Sequence, residues 1–181
     1  YTLTNNITSS GDGIVVERNN IIIDGRGYTI QGTRVYQSKG IDLSYRTNVT
    51  ITNTKIINFF YGIYLYYSSN NTISGNSVTV YKSAANEDGI HIYYSSNNDI
   101  TENNIAQNNM YGIHLYYSSN NDIVGNNIAE NNYHGIRLDY SSNNTISRNN
   151  VTNNYFGLWL CDSSNNVVIE NTFFNNGLMV W

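Results

Sequence analysis

Apolar residues recur along the chain in one pattern, which starts again at each of eight glycines. These glycines are Gly13, Gly40, Gly62, Gly89, Gly112, Gly135, Gly157 and Gly177, and the intervals between them are 27, 22, 27, 23, 23, 22 and 20 residues. A self-similar period of about 23 residues predicts a repeat architecture, in which one structural unit is stacked many times.

The apolar positions alternate after each glycine. The first and third residues after it are Ile, Leu or Val in every repeat, as in Ile113 and Leu115. A period of two residues predicts a β-strand. Two further apolar columns follow at the eleventh and sixteenth residues, represented by Ile123 and Ile128. Each full repeat therefore supplies three short strands.

Three short strands per repeat predict an all-β fold. We expect a single-stranded, right-handed parallel β-helix of about seven coils, each with 20–27 residues. Strands of successive coils would lie about 4.8 Å apart. An α/β sheet would need helical crossovers, for which the chain has no suitable segment, and leucine-rich repeats need a helical arm and a leucine-dominated consensus.

The pattern also divides the chain. Residues 1–12 precede the first repeat and are expected to form an N-terminal capping strand or lead-in, and residues 13–181 are expected to form one β-helix domain. Gly177 and the apolar residues up to Trp181 begin an eighth coil. Because an uncovered coil presents unpaired strand edges, we expect copies of the chain to associate head-to-tail or laterally.

Asparagines form columns at the eighth, ninth and fourteenth residues after the glycine, as in Asn120, Asn121 and Asn126. Stacked amides can donate to one another from coil to coil and so form ladders. Asn also tolerates the left-handed backbone conformation that tight corners need. We expect these ladders to hold the coils in register, so that replacing Asn120 by Leu destabilises the fold by about 1–3 kcal/mol.

Composition excludes several partners. Pro is absent, which agrees with a backbone committed to inter-strand hydrogen bonds. The net charge is −4 and there is no basic stripe, so nucleic acid is not an expected partner. No apolar run approaches the roughly 18 residues of a membrane span. The single cysteine, Cys161, allows no intramolecular disulfide.

The outward positions of the first strand carry most of the reactive side chains. Alternation places the second and fourth residues after each glycine on the surface. We predict a binding face there, formed by Tyr64, Tyr66, His91, Tyr93, His114, Tyr116, Arg137 and Trp159. Exposed aromatic rings with polar tips suit sugar rings or another protein. Stacking of tyrosines for stability alone is a second interpretation of the same face.

An enzyme acting on a polysaccharide is the third interpretation. Candidates for its acid–base residues are Asp88, Asp139 and His91, followed by Glu87, His114 and Arg137. Hydrolysis would need two carboxyl groups about 5–9.5 Å apart. The clustered aspartates and Gly-His-Gly element of galacturonases are absent from the sequence, as is the histidine motif of β-helical epimerases. No catalytic residue is therefore assigned.

Histidines raise the question of a metal. His91 and His114 are vertical neighbours in successive coils, and His134 precedes the next coil on the same side. Imidazole nitrogens are good ligands for copper and zinc, which makes His91 and His114 candidates. Because no Cys, Met or fourth His completes a ligand set, the sequence predicts neither a metal site nor a cofactor.

Two stretches of sequence resemble a known family. They are the opening segment 14–32 and the repeated motif Ser-Ser-Asn-Asn-x-Ile-x-x-Asn, which occurs for example at 118–126. Both resemble the NosD-like parallel β-helix repeat proteins, and the similarity extends over nearly the whole chain. The resemblance implies a right-handed parallel β-helix in a secreted or surface protein of an archaeon or bacterium, in a group that ranges from carbohydrate-active enzymes to surface proteins.

These observations favour one function and leave a second open. We expect a non-catalytic extracellular or cell-surface β-helix that self-assembles into a filament, sheath or surface layer, recognises partners through its tyrosine-rich face, or does both. A polysaccharide-binding or polysaccharide-active β-helix, similar to lyases, epimerases or hydrolases, is the alternative.

Overall fold

The apolar columns of the sequence become the inside of a β-solenoid. A computed structural model describes residues 1–80 and 88–177, and within them the chain winds into about seven coils with three parallel sheets and no helix. The prediction of an all-β parallel β-helix with three strands per coil is confirmed. Among the described residues no helix is long and apolar enough to cross a bilayer.

The strands are short because each coil turns three corners. In chain order they are β1 (Ile7–Ser9), β2 (Ile14–Val15), β3 (Ile21–Asp24), β4 (Thr29–Gly32), β5 (Lys39–Asp42), β6 (Val49–Thr52), β7 (Lys55–Ile57), β8 (Tyr61–Tyr66), β9 (Thr72–Ser74), β10 (Ser77–Thr79), β11 (Asp88–Tyr93), β12 (Asp99–Thr101), β13 (Asn104–Ala106), β14 (Ile113–Tyr116), β15 (Asp122–Val124), β16 (Asn127–Ala129), β17 (His134–Asp139), β18 (Thr145–Ser147), β19 (Asn150–Thr152), β20 (Phe156–Cys161), β21 (Val167–Ile169) and β22 (Thr172–Phe174).

Each sheet collects the equivalent strand of every coil. The first sheet has the order β2-β5-β8-β11-β14-β17-β20, the second β3-β6-β9-β12-β15-β18-β21, and the third β1-β4-β7-β10-β13-β16-β19-β22. Identical positions of the repeat pair across coils, as Ile90 with Ile113 and Ile113 with Ile136. Because these side chains stack on one another with no exposed surface, the core is a continuous apolar column.

The repeat glycine of each coil is required by a close approach. A Cβ added to Gly112 would lie 2.6 Å from Ile128 Cγ2 and 2.7 Å from the carbonyl oxygen of Gly135. Gly112 and the next residue, Ile113, therefore both face the core, and strict alternation slips by one residue at the glycine. As a result, Tyr111 on the preceding side points outward and contacts His114.

Buried amides form ladders at three corners. The ninth-residue column, Asn71, Asn98, Asn121, Asn144 and Asn166, is joined by Nδ2–Oδ1 hydrogen bonds of 3.0–3.2 Å. The fourteenth-residue column, from Asn76 to Asn171, is joined in the same way. A third ladder, which the sequence did not predict, contains Asn108, Asn131, Asn154 and Asn176. The side-chain oxygens of these ladders also accept hydrogen bonds from backbone N–H groups, as Asn121 Oδ1 does from the N–H of Asn98 at 2.9 Å.

The prediction for the eighth-residue column is wrong. Asn120 and its equivalents, such as Asn97 and Asn143, have exposed side chains rather than buried ones. They occupy the left-handed backbone region, with φ of 57° at Asn120, which shows why Asn is used there. Asn120 thus allows the left-handed backbone of the corner, while the side chain of its neighbour Asn121 forms the ladder.

The N-terminal segment lies against the first coil. Strand β1 pairs in parallel with β4, and the backbone N–H of Leu3 donates to the carbonyl of Asp24 at 3.0 Å. At the other end, Gly177 is bridged to Phe156. The residues of the expected eighth coil beyond Gly177 lie outside the described part of the chain, as does the candidate Glu87.

Candidate functional site

The outer surface of the first sheet brings the predicted histidines and Arg137 into one column. His91 in β11 pairs with Tyr64 in β8 on one side and with His114 in β14 on the other. His114 then pairs with Arg137 in β17, and Arg137 pairs with Trp159 in β20. The expectation that the two histidines are vertical neighbours is confirmed, because their ring centroids are 4.9 Å apart.

Asp88 lies between the two histidines. Its Oδ2 is 2.7 Å from Nδ1 of His91 and 3.3 Å from Nδ1 of His114, and its Oδ1 accepts the backbone N–H of Tyr111 at 3.3 Å. The slip in alternation at Gly89 turns the Asp88 side chain onto the outer face of the first sheet, where the groups packed around it keep it buried. One carboxylate therefore holds two imidazoles from successive coils.

Asp139 holds His114 from the opposite side. Its Oδ2 is 2.9 Å from Nε2 of His114, and Arg137 donates to both of its oxygens, from Nε at 2.6 Å and from Nη2 at 3.1 Å. Arg137 Nη1 also donates to the Tyr111 hydroxyl at 2.5 Å. Alternation predicted that Asp139 faces solvent, but these partners bury it.

Both carboxyl groups are ionised at neutral pH. Burial would raise the pKa of Asp88, but hydrogen bonds from His114 and His91 outweigh it and hold the pKa below its usual range. Burial likewise opposes the hydrogen bonds of His114 and Arg137 at Asp139, whose pKa is also lowered. Paired-carboxyl glycoside hydrolysis needs one protonated carboxyl, so neither aspartate suits the role of its general acid.

The pKa values of His91 and His114 shift in opposite directions. Burial lowers the pKa of His91 despite its contact with Asp88. At His114 burial acts in the same direction, but hydrogen bonds to Asp139 and Asp88 outweigh it, and the pKa is raised. The different pKa shifts follow from the number of carboxylates, one for His91 and two for His114.

These groups line a shallow depression of about 190 Å³ on the first sheet. Its lining residues are Tyr61, Asp88, His91, Tyr111, His114, Tyr116, Arg137 and Asp139. Burial, followed by the charge of Asp88, raises the pKa of Tyr61 well above its usual range, so the phenol stays protonated. Tyr61 and Tyr111 were missed as site residues because they precede a glycine, where the slip in alternation turns them outward.

His134 does not join the other two histidines. Its ring is buried and stacks at 5.1 Å on Tyr111 and at 5.1 Å on Trp159. Burial, helped by the nearby Arg137 cation, lowers the pKa of His134 to about 4, which keeps the ring neutral. His134 therefore lies on the same side of the first sheet as the other two histidines, as expected, but its ring is separate from the group of Asp88, His91 and His114. Trp159 lies at this edge as well, half-buried.

Tyrosines continue the surface on the far side of the depression. Tyr66, Tyr93 and Tyr116 form one half-buried column, with ring centroids 5.4 and 5.2 Å apart. A second, exposed column follows at the corner and is called the tyrosine column below: Tyr45, Tyr67, Tyr94, Tyr117 and Tyr140. Its rings are nearly parallel, at centroid distances of 5.9, 5.0, 5.2 and 4.8 Å.

The tyrosine column occupies an unusual backbone conformation. All five residues have φ from 48° to 60°, the left-handed region, as at Tyr117 with 48°. Their exposed fractions run from 37 % at Tyr94 to 61 % at Tyr45. These residues were visible in the sequence as a column, but only the structure shows that their rings are aligned and open to solvent.

A family model matches almost the whole chain. The model described as "Periplasmic copper-binding protein (NosD)" matches residues 2–180. No curated protein matches the sequence.

Solved structures with a similar fold are all distant in sequence. The A-module of the Azotobacter vinelandii mannuronan C-5 epimerase AlgE4 superposes with a TM-score of 0.71 at 13% identity, over 96% of this chain and 54% of that one. The Dettilon tailspike protein superposes with a TM-score of 0.67 at 17% identity, over 98% of this chain and 50% of that one. A mutant of the periplasmic alginate epimerase AlgG superposes with a TM-score of 0.57 at 17% identity, over 95% of this chain and 46% of that one. The chain thus spans about half the length of these proteins, and the similarity concerns the fold.

The depression fits a copper ion in its donor chemistry. Asp88, His91 and His114 each offer one ligand atom, and these three atoms lie within 4.8 Å of one another. Imidazole nitrogen and carboxylate oxygen are ligands that Cu²⁺ accepts, whereas Cu⁺ prefers the sulfur of Cys or Met. When bound, copper would supply Lewis acidity or one-electron chemistry at the surface of the first sheet.

Proposed function

The chain belongs to the NosD family, and from this premise and its tyrosine column we propose that it recognises an extended polysaccharide along the first sheet. The observation that carries the proposal is the row of five parallel, exposed tyrosine rings, Tyr45, Tyr67, Tyr94, Tyr117 and Tyr140. We place the site of action outside the cytoplasm, in agreement with the periplasmic description of the family.

Stability alone is a poor explanation for the tyrosine column. An L-residue in the left-handed region costs roughly 1–2 kcal/mol, so five tyrosines cost about 5–10 kcal/mol. The four stacked ring pairs stabilise the fold by only about 2–6 kcal/mol. Asn fills other left-handed positions of the same coils, as at Asn97 and Asn120, at lower cost. A tyrosine at this corner therefore needs a further reason, and contact with a ligand supplies one.

The spacing of the rings suits a linear sugar chain. Successive rings between Tyr67 and Tyr140 are 4.8–5.2 Å apart, because the coils impose the strand spacing of about 4.8 Å. An extended β-1,4-linked chain advances by a similar distance per pyranose, so one sugar can meet one coil. The apolar faces of pyranoses would lie on the phenol rings, and the phenol hydroxyls would reach the sugar hydroxyls.

The charges of the first sheet favour an uncharged sugar. Lys39 is paired with Asp42 at 2.5 Å, and Arg137 is paired with Asp139. Both cations are thereby neutralised, while the chain as a whole carries a net charge of −4. A polyuronate would meet no uncompensated positive charge at these two positions, so we expect neutral β-1,4-linked glucan or mannan to bind at least as tightly as mannuronan.

Titration calorimetry with defined oligosaccharides tests the proposal. Cellohexaose, mannohexaose and mannuronan hexamer are titrated into the wild-type chain and into a double variant, Tyr94→Asn with Tyr117→Asn. Asn keeps the left-handed backbone and removes the rings. The double variant should melt within a few degrees of the wild type and bind the neutral hexasaccharide about tenfold more weakly or worse.

A matched control uses an exposed tyrosine at another corner. Tyr28, between β3 and β4, is 37 % exposed and lies away from the first sheet. Tyr28→Ser should leave the affinity unchanged. Equal affinity of the double variant and the wild type, or no binding of any of the three hexamers, would contradict the proposal.

Self-association stays a prediction of the sequence, and it does not depend on sugar binding. The last described coil exposes Val168 and Phe173, which the core columns bury in earlier coils. Either the next coil of a longer chain or a second copy of this chain would cover these two side chains. Sedimentation velocity at rising concentration decides: discrete oligomers or filaments support association, and a monomer throughout the range contradicts it.

A further inference from the structure

We propose that Asp88, His91 and His114 form a binding site for one divalent transition-metal ion, with copper preferred over zinc. The family description speaks of copper but names no residues, and the sequence predicted no site because no Cys, Met or fourth His completes a ligand set. The structure adds the missing ligand, since Asp88 reaches both imidazoles at once.

The first step of the argument for a metal site is the spacing of the donor atoms. Ligand atoms bonded to one ion at about 2.0–2.2 Å lie roughly 3–4 Å from each other. Asp88 Oδ2 is 2.7 Å from His91 Nδ1 and 3.3 Å from His114 Nδ1, and all three atoms lie within 4.8 Å. Side-chain shifts of less than about 1 Å would let the three atoms bond to one ion.

The second step is the support behind His114. A metal-binding histidine usually donates its other N–H to a carboxylate, which fixes the ring and the tautomer. His114 has this arrangement, because Nε2 meets Asp139 Oδ2 at 2.9 Å while Nδ1 faces Asp88. Arg137 in turn fixes Asp139 with two hydrogen bonds. Asp139 and Arg137 are thus positioning residues for the site.

The third step is the balance of charge. Asp88 faces the two imidazoles, whereas the guanidinium of Arg137 pairs with Asp139. The two carboxylates and the Arg137 guanidinium leave one negative charge in the depression, which a bound cation would offset.

The fourth step is access. The side chains of His91 and His114 are 13% and 12% exposed, so the site opens outward from the first sheet. Three protein ligands with an open side are the arrangement in which a metal can take a further ligand from solution. Two nitrogens and one oxygen suit Cu²⁺ and Zn²⁺, and Cu²⁺ binds more tightly to such donors.

Metal binding by the purified chain tests the proposal. Equilibrium dialysis against Cu²⁺ or Zn²⁺, with metal measured by mass spectrometry, should give one ion per chain and higher affinity for Cu²⁺. Electron paramagnetic resonance of the copper-loaded chain should show hyperfine coupling to two imidazole nitrogens. This spectrum is a readout of the wild type and needs no variant.

Variants assign the ligands. His91→Gln and His114→Gln should each weaken Cu²⁺ binding roughly 100-fold or more, and Asp139→Asn, behind His114, about 10- to 100-fold. His134→Phe is the matched control, because this third histidine is stacked between aromatic rings outside the site, and its affinity should equal that of the wild type. Circular dichroism melting checks that each variant is folded.

Three results would overturn the proposal. The first is the absence of stoichiometric binding, in which case His114 bridges its two carboxylates as an imidazolium only. The second is a copper spectrum without two imidazole nitrogens. The third is a loss of affinity in His134→Phe as large as that in His91→Gln and His114→Gln.

Discussion

At the scale of single residues, the site depends on which side chains the coil turns outward. Asp88, Tyr111 and His134 all precede a repeat glycine, where the alternation slips and adds them to the face that carries His91 and His114. Simple alternation predicted His91, His114 and their vertical contact. It did not predict the burial of Asp88 and Asp139, because that depends on hydrogen bonds between coils.

His134 makes stability depend on pH. Its pKa in the fold is about 4, below the roughly 6.5 of an unfolded histidine. The unfolded chain therefore takes up a proton first, and stability is full above pH 6.5 and falls as the pH drops from 6.5 to 4. At pH 4.5 this effect should amount to about 2 kcal/mol relative to pH 7.5.

His134→Phe should remove this part of the pH dependence. Phe keeps the stack on Tyr111 and Trp159 and has no proton to gain. Urea denaturation at pH 7.5 and 4.5 compares the variant with the wild type, and the wild type should lose about 2 kcal/mol more on acidification. Equal losses in the two proteins would contradict the low pKa of His134.

At the scale of elements, the neighbouring asparagines Asn120 and Asn121 differ in what they contribute to stability. Asn121 accepts from the backbone and side chain of Asn98 and donates to the carbonyls of Ser95 and Ser119. Asn121→Leu leaves several buried groups without partners, so it should lower the free energy of unfolding by about 3 kcal/mol. Asn120→Gly, at an exposed position with φ of 57°, should change it by less than about 0.5 kcal/mol.

Chemical denaturation of the two variants checks this contrast. An Asn120 variant as unstable as the Asn121 variant would mean that the outer column carries the ladder after all. The sequence predicted that Asn columns join the coils, but it could not distinguish adjacent columns. Both contain the same residue, and only the turn of the corner decides which amide faces inward.

The repeat glycines give a second prediction for the coil. Gly112→Ala would place its Cβ 2.6 Å from Ile128 Cγ2 and 2.7 Å from the Gly135 carbonyl, so it should destabilise by about 1–3 kcal/mol. Gly11→Ala is the control, because a Cβ there meets nothing within 4 Å. Thermal melts should show a clear loss for Gly112→Ala only. Equal melting temperatures for both variants would contradict the close packing of the first sheet.

At the scale of the whole molecule, the period of the sequence was sufficient to predict the architecture. Every coil repeats the same three strands, so columns of sequence become columns in space, and the tyrosine column runs across five coils. The depression around His114 was not predictable in this way. The residue types at these repeat positions change from coil to coil, and the contacts among Asp88, His114 and Asp139 follow from side-chain geometry rather than from the period.

Hydroxyl-radical footprinting of the chain, with and without saturating neutral hexasaccharide, tests the proposed sugar recognition most directly. We expect the oxidation of Tyr67, Tyr94 and Tyr117 to slow when the sugar is present, while the exposed Tyr28 at another corner is oxidised at an unchanged rate. Unchanged oxidation of the tyrosine column at saturation, or protection confined to other surfaces, would contradict the proposal.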